Sequence, residues 1–381
     1  MRSQRSDSRV AGIADVSGVS VVAFVLPGNV DDVTEPSGGN TYDRRMCESL
    51  PGAGVPVLQV AVPGSWPEPG PTGRARLARA LAALPDHTTV LIDGLVACGV
   101  PDVVVPHARR LRLGVLVHLP LADETGLDPV HAAELDACER ETLRVVRQVV
   151  ATSPTAARTL IRRHGLGPST VAVVEPGVDL APLASGTDGV SRLLCVAAVT
   201  PRKGQDVLVE ALAQLPDLDL TVEFVGSLTR APEYVDELRW SVERLGLGER
   251  VTFSGPKAGA ELDAAYDCAD LVLLPSHAET YGMVITEALA RGIPVVASDV
   301  GGVPDALGHS SDGAVPGLLV PPADPAALAS ALRRWTVDGE LRRDLRTAAI
   351  GRGSALEEWD GAARRLTEVV SRWRSIPIKV A

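Results

Sequence analysis

Residues 271 to 305 read LVLLPSHAETYGMVITEALARGIPVVASDVGGVPD. An apolar run, LVLLPS, stops at a polar turn, ETYG leads into the helical segment MVITEALARG, and a second apolar run, IPVVAS, follows. Two continuous apolar runs joined through one helix is the pattern of parallel strands buried on both faces. The turn that opens the helix is then an anion site. Its N–H groups and the positive end of the helix dipole point into the crevice at the carboxyl ends of the strands, which suits a diphosphate. Glu279 precedes the first turn, and Glu287 lies eight residues later inside the helix. A carboxylate beside a phosphate is unfavourable, so both are expected to accept hydrogen bonds from ligand hydroxyls. The plainer alternative is an acidic helix start and a solvated glutamate.

The same alternation extends in both directions. Upstream, strands are expected at 19–26, 56–62, 89–94, 113–119, 148–153 and 170–177, with a helix at 41–54 and a long one at 128–148. Downstream, strands are expected at 192–199, 220–227, 251–255, 271–276, 293–298 and 317–320, with helices at 204–215, 234–245, about 282–291 and near 355–373. The fold class is α/β. A chain of 381 residues exceeds one ordinary core, so two domains are expected. We divide it into a disordered start (1–16), a first domain (17–180), the small and polar linker APLASGTDGVS (181–191), a second domain (192–354) and a final segment (355–381) whose helix can cross back to the first domain.

Net charge is −11, which argues against a nucleic-acid partner, since counterion release needs a concentrated positive surface. Arg109, Arg110 and Arg112 cluster in a way that can touch anionic lipid, although such runs are more often a solvated face. Five widely spaced cysteines read as reduced core thiols rather than a disulfide frame or zinc site. No signal-peptide-like apolar stretch stands at the start. A cytoplasmic protein is expected.

Three further segments carry chemistry. In VAAVTPRKGQDVLVEAL a strand leads through Arg202 and Lys203 into a helix near Gly204, where adjacent cations can neutralise a leaving diphosphate. SGGNTYDRRM (37–46) reads as a flexible loop before a helix, with Gly38 and Gly39 close to the cleft and able to approach a phosphate or sugar. His118 ends the apolar strand LGVLVHLP. It is either a satisfied structural group or a side chain facing the cleft.

ETYGMVITEALARGIPVVASDVGGVPD resembles the signature of family-4 glycosyltransferases: Glu, any residue, aromatic, Gly, four residues, Glu-Ala, Gly-x-Pro-Val and a later Gly-Gly. The resemblance implies the GT-B architecture, two Rossmann-like parallel-sheet domains facing a central cleft. It further implies that Glu279 contacts the donor sugar, that the backbone at Tyr281, Gly282, Met283 and Val284 meets its hydroxyls or diphosphate, and that Glu287 meets the ribose. Lys203 and Arg202 would stabilise the departing phosphate, Gly38 and Gly39 would approach the donor, and His118 would contact its sugar. Three departures stand out: Asp305 replaces the usual Glu, Leu119 replaces the Asp that often follows the histidine, and Ala198 stands where many members have an arginine. Arg202 therefore either replaces that arginine or points away.

The implied reaction is retaining transfer of a hexosyl-type sugar to a small-molecule or lipid acceptor, with a nucleotide sugar as substrate, no cofactor and no metal-binding Asp-x-Asp. Alternatives are a GT-B nucleotide-sugar epimerase, which would convert the donor without an acceptor, and a non-catalytic binding protein, which would hold it unchanged. A nicotinamide oxidoreductase is disfavoured, because no G-x-G-x-x-G follows the strands at 19 or 192.

Overall fold

A computed structural model describes residues 21–32, 36–124 and 126–376 of the chain. The expected disorder of 1–16 and the start of the first strand at 19–20 lie outside the described residues. The apolar runs form two six-stranded sheets, all pairs parallel. The first holds β1 (Val22–Pro27), β2 (Val57–Val62), β3 (Thr89–Asp93), β4 (Arg112–Val117), β5 (Gln148–Ala151) and β6 (Val171–Val173) in the order β2-β1-β3-β4-β5-β6. The second holds β7 (Arg192–Val196), β8 (Thr221–Val225), β9 (Val251–Gly255), β10 (Leu271–Leu274), β11 (Val295–Ser298) and β12 (Gly317–Val320) in the order β12-β11-β10-β7-β8-β9. These are the two facing α/β halves of the GT-B architecture.

Around the first sheet run α1 (Gly38–Ser49), α2 (Gly70–Ala82), the short α3 (Gly94–Cys98) and α4 (Pro101–Val104), α5 (Pro129–Val145) and α6 (Pro154–His164). Around the second run α7 (Gln205–Ala213), α8 (Pro232–Arg244), α9 (Ala260–Asp267), α10 (Met283–Ala290), α11 (Val303–Leu307), α12 (Pro325–Val337) and α13 (Gly339–Gly353). Starts are chemically marked. Asp128 before Pro129, Ser153 before Pro154 and Asp324 before Pro325 each accept first-turn N–H bonds, while the proline occupies a position that needs no donor.

Alternation along each strand sends side chains to two cores. In the first sheet Val25, Ile92 and Val115 pack with Leu77 and Leu143, whereas Phe24, Leu91 and Leu116 pack with Tyr42 and Met46 of α1. The last helix, α14 (Trp359–Ser375), joins that second core through Leu366, Val370 and Trp373. Gly114 makes room for it: a Cβ there would lie 2.6 Å from the Trp373 ring.

Segment 181–191 has the composition of a flexible linker, yet it is pinned. Buried Asp270 accepts hydrogen bonds from the N–H groups of Thr187, Gly189 and Arg192 and from the Thr187 hydroxyl. The cysteines are free but not all core: Cys98 and Cys195 are buried, Cys47 and Cys138 half-buried and Cys268 exposed. Within the arginine cluster, Arg110 donates to the carbonyls of Leu81 and Leu84 and Arg112 to that of His87, so these two tie α2 to β3 and β4.

Strand order reverses between β1 and β3 in one sheet and between β7 and β10 in the other. Ligands of open parallel sheets bind outside the carboxyl ends at such switch points. The loops after β1, β3, β7 and β10, with the end of β4, meet in one cleft.

Candidate active site

The loop after β7 seats on the loop after β10. Gly204 is left-handed (φ +64°), and a Cβ there would lie 2.1 Å from the Pro275 carbonyl oxygen, so only glycine permits this approach. It caps α7 rather than opening it. The seating brings Lys203 Nζ to 2.5 Å from Glu279 Oε1, where the Ser276 hydroxyl also donates at 2.8 Å. Arg202 turns inward as well. It donates to the Ala278 carbonyl at 3.0 Å, stands 3.8 Å from Glu279 Oε2, and its own carbonyl accepts from the His277 N–H. Burial pushes the Glu279 carboxyl up, but the charges of Lys203 and Arg202 and the two hydrogen bonds outweigh it and hold it below its ordinary value.

Gly301 and Gly302 explain why that turn keeps its shape. A Cβ on Gly301 would lie 1.8 Å from the Glu279 carbonyl oxygen, and one on Gly302 would lie 2.0 Å from that of Thr280. The Gly302 N–H donates to the Glu279 carbonyl. This pair is a seat for the Glu279 turn. Next, Gly282 (φ +92°) caps α10 without a capping side chain, leaving the start of α10 at Met283 and Val284 facing the cleft. The Tyr281 side chain is buried, so the ligand-facing part of that residue is largely its backbone. Glu287 lies deeper along α10. Burial pushes its carboxyl up, offset only in part by the hydroxyl of Tyr266, which donates at 2.7 Å, and by Arg291.

Opposite stands the first-sheet wall. Gly38 and Gly39 are not a flexible loop: they form the first turn of α1, because Ser37 caps it by accepting from the Asn40 N–H. The helix accordingly begins before residue 41 and ends at Ser49. A Cβ on Gly39 would lie 3.1 Å from the His118 ring, and one on Gly38 would lie 3.6 Å from Met283 Sδ, so the pair sits between the histidine and α10.

His118 Nε2 lies 2.8 Å from Asp43 Oδ1 and 3.4 Å from Asp93 Oδ2. Burial lowers the imidazole's affinity for a proton, with the Asp93 charge opposing. Burial pushes both carboxyls well above the carboxylate range; the Asp43 charge adds to the rise at Asp93, whereas the hydrogen bond with Asp93 opposes it at Asp43. Sequence reasoning missed Asp43 and Asp93. The available signal was that Asp93 ends an apolar strand just as His118 does, and that Asp43 follows Gly39 by one helical turn. These three residues offer ligand atoms within 4.8 Å of one another and are the group among the described residues spaced to hold a cation. Here His118 and Asp43 are bonded to each other.

The two halves are clasped beside this site. The Ser153 hydroxyl caps α6 and donates to the Thr280 carbonyl at 2.6 Å. Thr280 in turn donates to the His118 carbonyl at 2.5 Å, and Asp305 accepts from the Thr155 N–H at the start of α6. Asp305 thus sits favourably at a helix N-terminus. The cleft between the walls encloses about 800 Å³ and is lined by every candidate residue of the sequence analysis: Gly38, Gly39, His118, Arg202, Lys203, Glu279, Tyr281, Gly282, Met283, Val284 and Glu287. Ala198 lines it too, leaving Arg202 and Lys203 as the cations of this loop.

A family model described as glycosyl transferases group 1 matches residues 187–352. A D-inositol 3-phosphate glycosyltransferase of Actinosynnema mirum is 33% identical over 73% of this chain and 68% of its own length. The chain belongs to the group 1 glycosyltransferases. Another group 1 relative, the D-inositol 3-phosphate glycosyltransferase of Corynebacterium diphtheriae, is 32% identical over 61% of this chain, and the match spans 57% of that protein. Among solved structures, sucrose-phosphate synthase of Thermosynechococcus elongatus covers 93% of this chain and 98% of its own at a TM-score of 0.77 and 23% identity. Anabaena HepE in complex with UDP and glucose covers 92% and 99% at a TM-score of 0.71 and 21% identity. These likenesses show the shared fold. The matched region of the group 1 model contains the whole second-sheet wall, whereas the first-sheet wall lies outside it.

Proposed function

We propose that this protein is a glycosyltransferase that moves a hexosyl-type sugar from a nucleotide sugar to an acceptor hydroxyl, with retention of anomeric configuration and without a metal or other cofactor. The observation that carries the reading is the facing of two devices across one cleft: the Lys203–Glu279 pair beside the start of α10, and Gly39 with His118 opposite. The donor diphosphate lies at the start of α10, neutralised by Lys203 and Arg202, while Glu287 takes the ribose hydroxyls and Glu279 the sugar hydroxyls. His118, held by Asp43, positions the sugar from the other wall.

The bond between the anomeric carbon and the phosphate oxygen breaks as the acceptor oxygen bonds that carbon on the same face. The acceptor proton passes to the departing phosphate oxygen, so no separate strong base is needed. Among the described residues no helix is long and apolar enough to cross a membrane, and we place the reaction in the cytoplasm. The test is a thermal-shift panel of nucleotide sugars, followed by product analysis in chelator with the donor that stabilises the protein. A retained anomer is expected. Inversion, strict metal dependence, or donor conversion without an acceptor would sink the proposal.

A further inference from the structure

The walls of the cleft differ in charge. Among the described residues, every Lys and Arg that lines it comes from the second-sheet half: Arg202, Lys203, Arg230 and Lys257. Lys203 pairs with Glu279, Lys257 with Glu223 at 2.5 Å, and Arg202 stands between Glu279 and Glu124 of the opposite half. The first-sheet wall lining carries no Lys or Arg among the described residues; of its acids, Glu68 pairs with His131 at 3.3 Å, Glu124 stands 3.7 Å from Arg202 across the cleft, and burial raises the Asp93 carboxyl to about 8. Asp43 is buried behind His118.

That wall is also apolar where it meets the cleft. Trp66 from the β2–α2 connection, Leu95 on α3, and Leu119 and Leu127 from the β4–α5 connection converge on it. Leu95 is 39% exposed and adds to this contiguous apolar face. The Trp66 indole N–H already donates to the Val62 carbonyl at 2.8 Å, so its ring offers a face rather than a donor. The adjoining Pro67 is packed on Gly99, where a Cβ would lie 2.1 Å from the Pro67 carbonyl oxygen, so this wall is built rather than loose.

A phosphate monoester is recognised by guanidinium or ammonium groups, and this wall offers neither among the described residues. Resting on the transferase reading above, we infer that the acceptor is an uncharged hydroxyl compound with an aromatic or alkyl body, held against Trp66 and Leu95 with its hydroxyl toward His118. This departs from the inositol phosphate in the names of the relatives. The apolar wall supplies affinity for the body, and the absence of Lys and Arg from that wall among the described residues disfavours the phosphorylated alternative.

The experiment uses the full chain loaded with UDP and three probes: phenyl β-D-glucoside, its 6-phosphate, and myo-inositol 3-phosphate. Binding is followed by calorimetry. The neutral glucoside is expected to bind at least about tenfold more tightly than either phosphate, a difference of about 1.4 kcal/mol. Trp66→Ala should weaken it by a similar factor while leaving UDP affinity unchanged. Leu95→Arg, at an exposed position that tolerates the change, should narrow the preference for the neutral probe. Either phosphate binding as tightly as the neutral glucoside, or no detectable binding of the glucoside, overturns the inference while UDP binding leaves the transferase reading standing. If UDP does not bind, the nucleotide of the donor that stabilises the protein takes its place, and failure of every nucleotide sugar in the panel strikes the transferase reading instead.

Discussion

Replacing Lys203 by Met should reverse the pH dependence that Glu279 contributes to stability. The Glu279 side chain is only 7% exposed and Lys203 only 18%, so the pair is largely withdrawn from water. Removing one partner of such a pair leaves an uncompensated buried charge and typically costs about 3–5 kcal/mol. Here Ser276 and Arg202 remain, the latter at 3.8 Å, which places the cost near the lower end, about 3 kcal/mol near neutral pH. In the native protein the folded carboxyl titrates below its ordinary value. Its contribution is therefore fully present above that value and is lost as pH falls through the folded one. Without Lys203, desolvation dominates and the folded carboxyl titrates above the unfolded one. The variant's deficit should then be largest near neutrality and shrink as pH falls into the carboxylate range, where protonation relieves it. Urea unfolding of both proteins across that range measures this directly, and Lys203→Arg should recover part of the loss. A deficit below about 1 kcal/mol that does not change with pH would refute the reasoning.

Asp43 and Asp93 predict a second pH effect of opposite origin. Their carboxyls are raised from 3.8 to about 8, so the folded chain holds protons that the unfolded chain releases, and stability falls as pH rises through that window. Asp43→Asn should flatten the decline, and melting temperatures that fall just as steeply in the variant would contradict it. Gly302→Ala places a Cβ 2.0 Å from the Thr280 carbonyl oxygen and 2.8 Å from Ser153 Oγ, so it should displace the Glu279 turn and abolish the stabilisation by nucleotide sugar seen in a thermal-shift assay. Trp373→Ala should cost about 3–5 kcal/mol in urea unfolding, as expected for a fully buried indole. Transfer activity should survive chelator; loss restored by a divalent cation would mark Asp43, Asp93 and His118 as a metal site.

Much of the fold was legible because a parallel sheet buried on both faces writes itself as continuous Val, Ile and Leu runs. Each expected strand has a counterpart, with ends that differ where apolar residues continue past the last paired residue, as in Ala197, Ala198 and Val199 after Val196. Helix starts were less clear. Gly38 and Gly39 looked like a loop because glycine disfavours helix, but the Ser37 cap overrides that preference in the first turn. Pinning of the linker could not be foreseen, since residues far along the chain do it: Asp270, with Asp267, Arg291 and Arg346. The second wall of the site was readable from residues close in sequence: Glu279, Gly282 and Glu287 share one loop and helix. The first wall is assembled from residues 43, 93 and 118, which meet only through strand order. Asp43 became visible once α1 was laid over the end of β4.

The most direct test of the central claim is a crystal structure of the protein with the nucleotide sugar that stabilises it. The account predicts the diphosphate at the start of α10 beside Lys203 and Arg202, the ribose at Glu287, and the sugar between Glu279 and His118. Density for the nucleotide outside this cleft, or a sugar turned away from both Glu279 and His118, would contradict it.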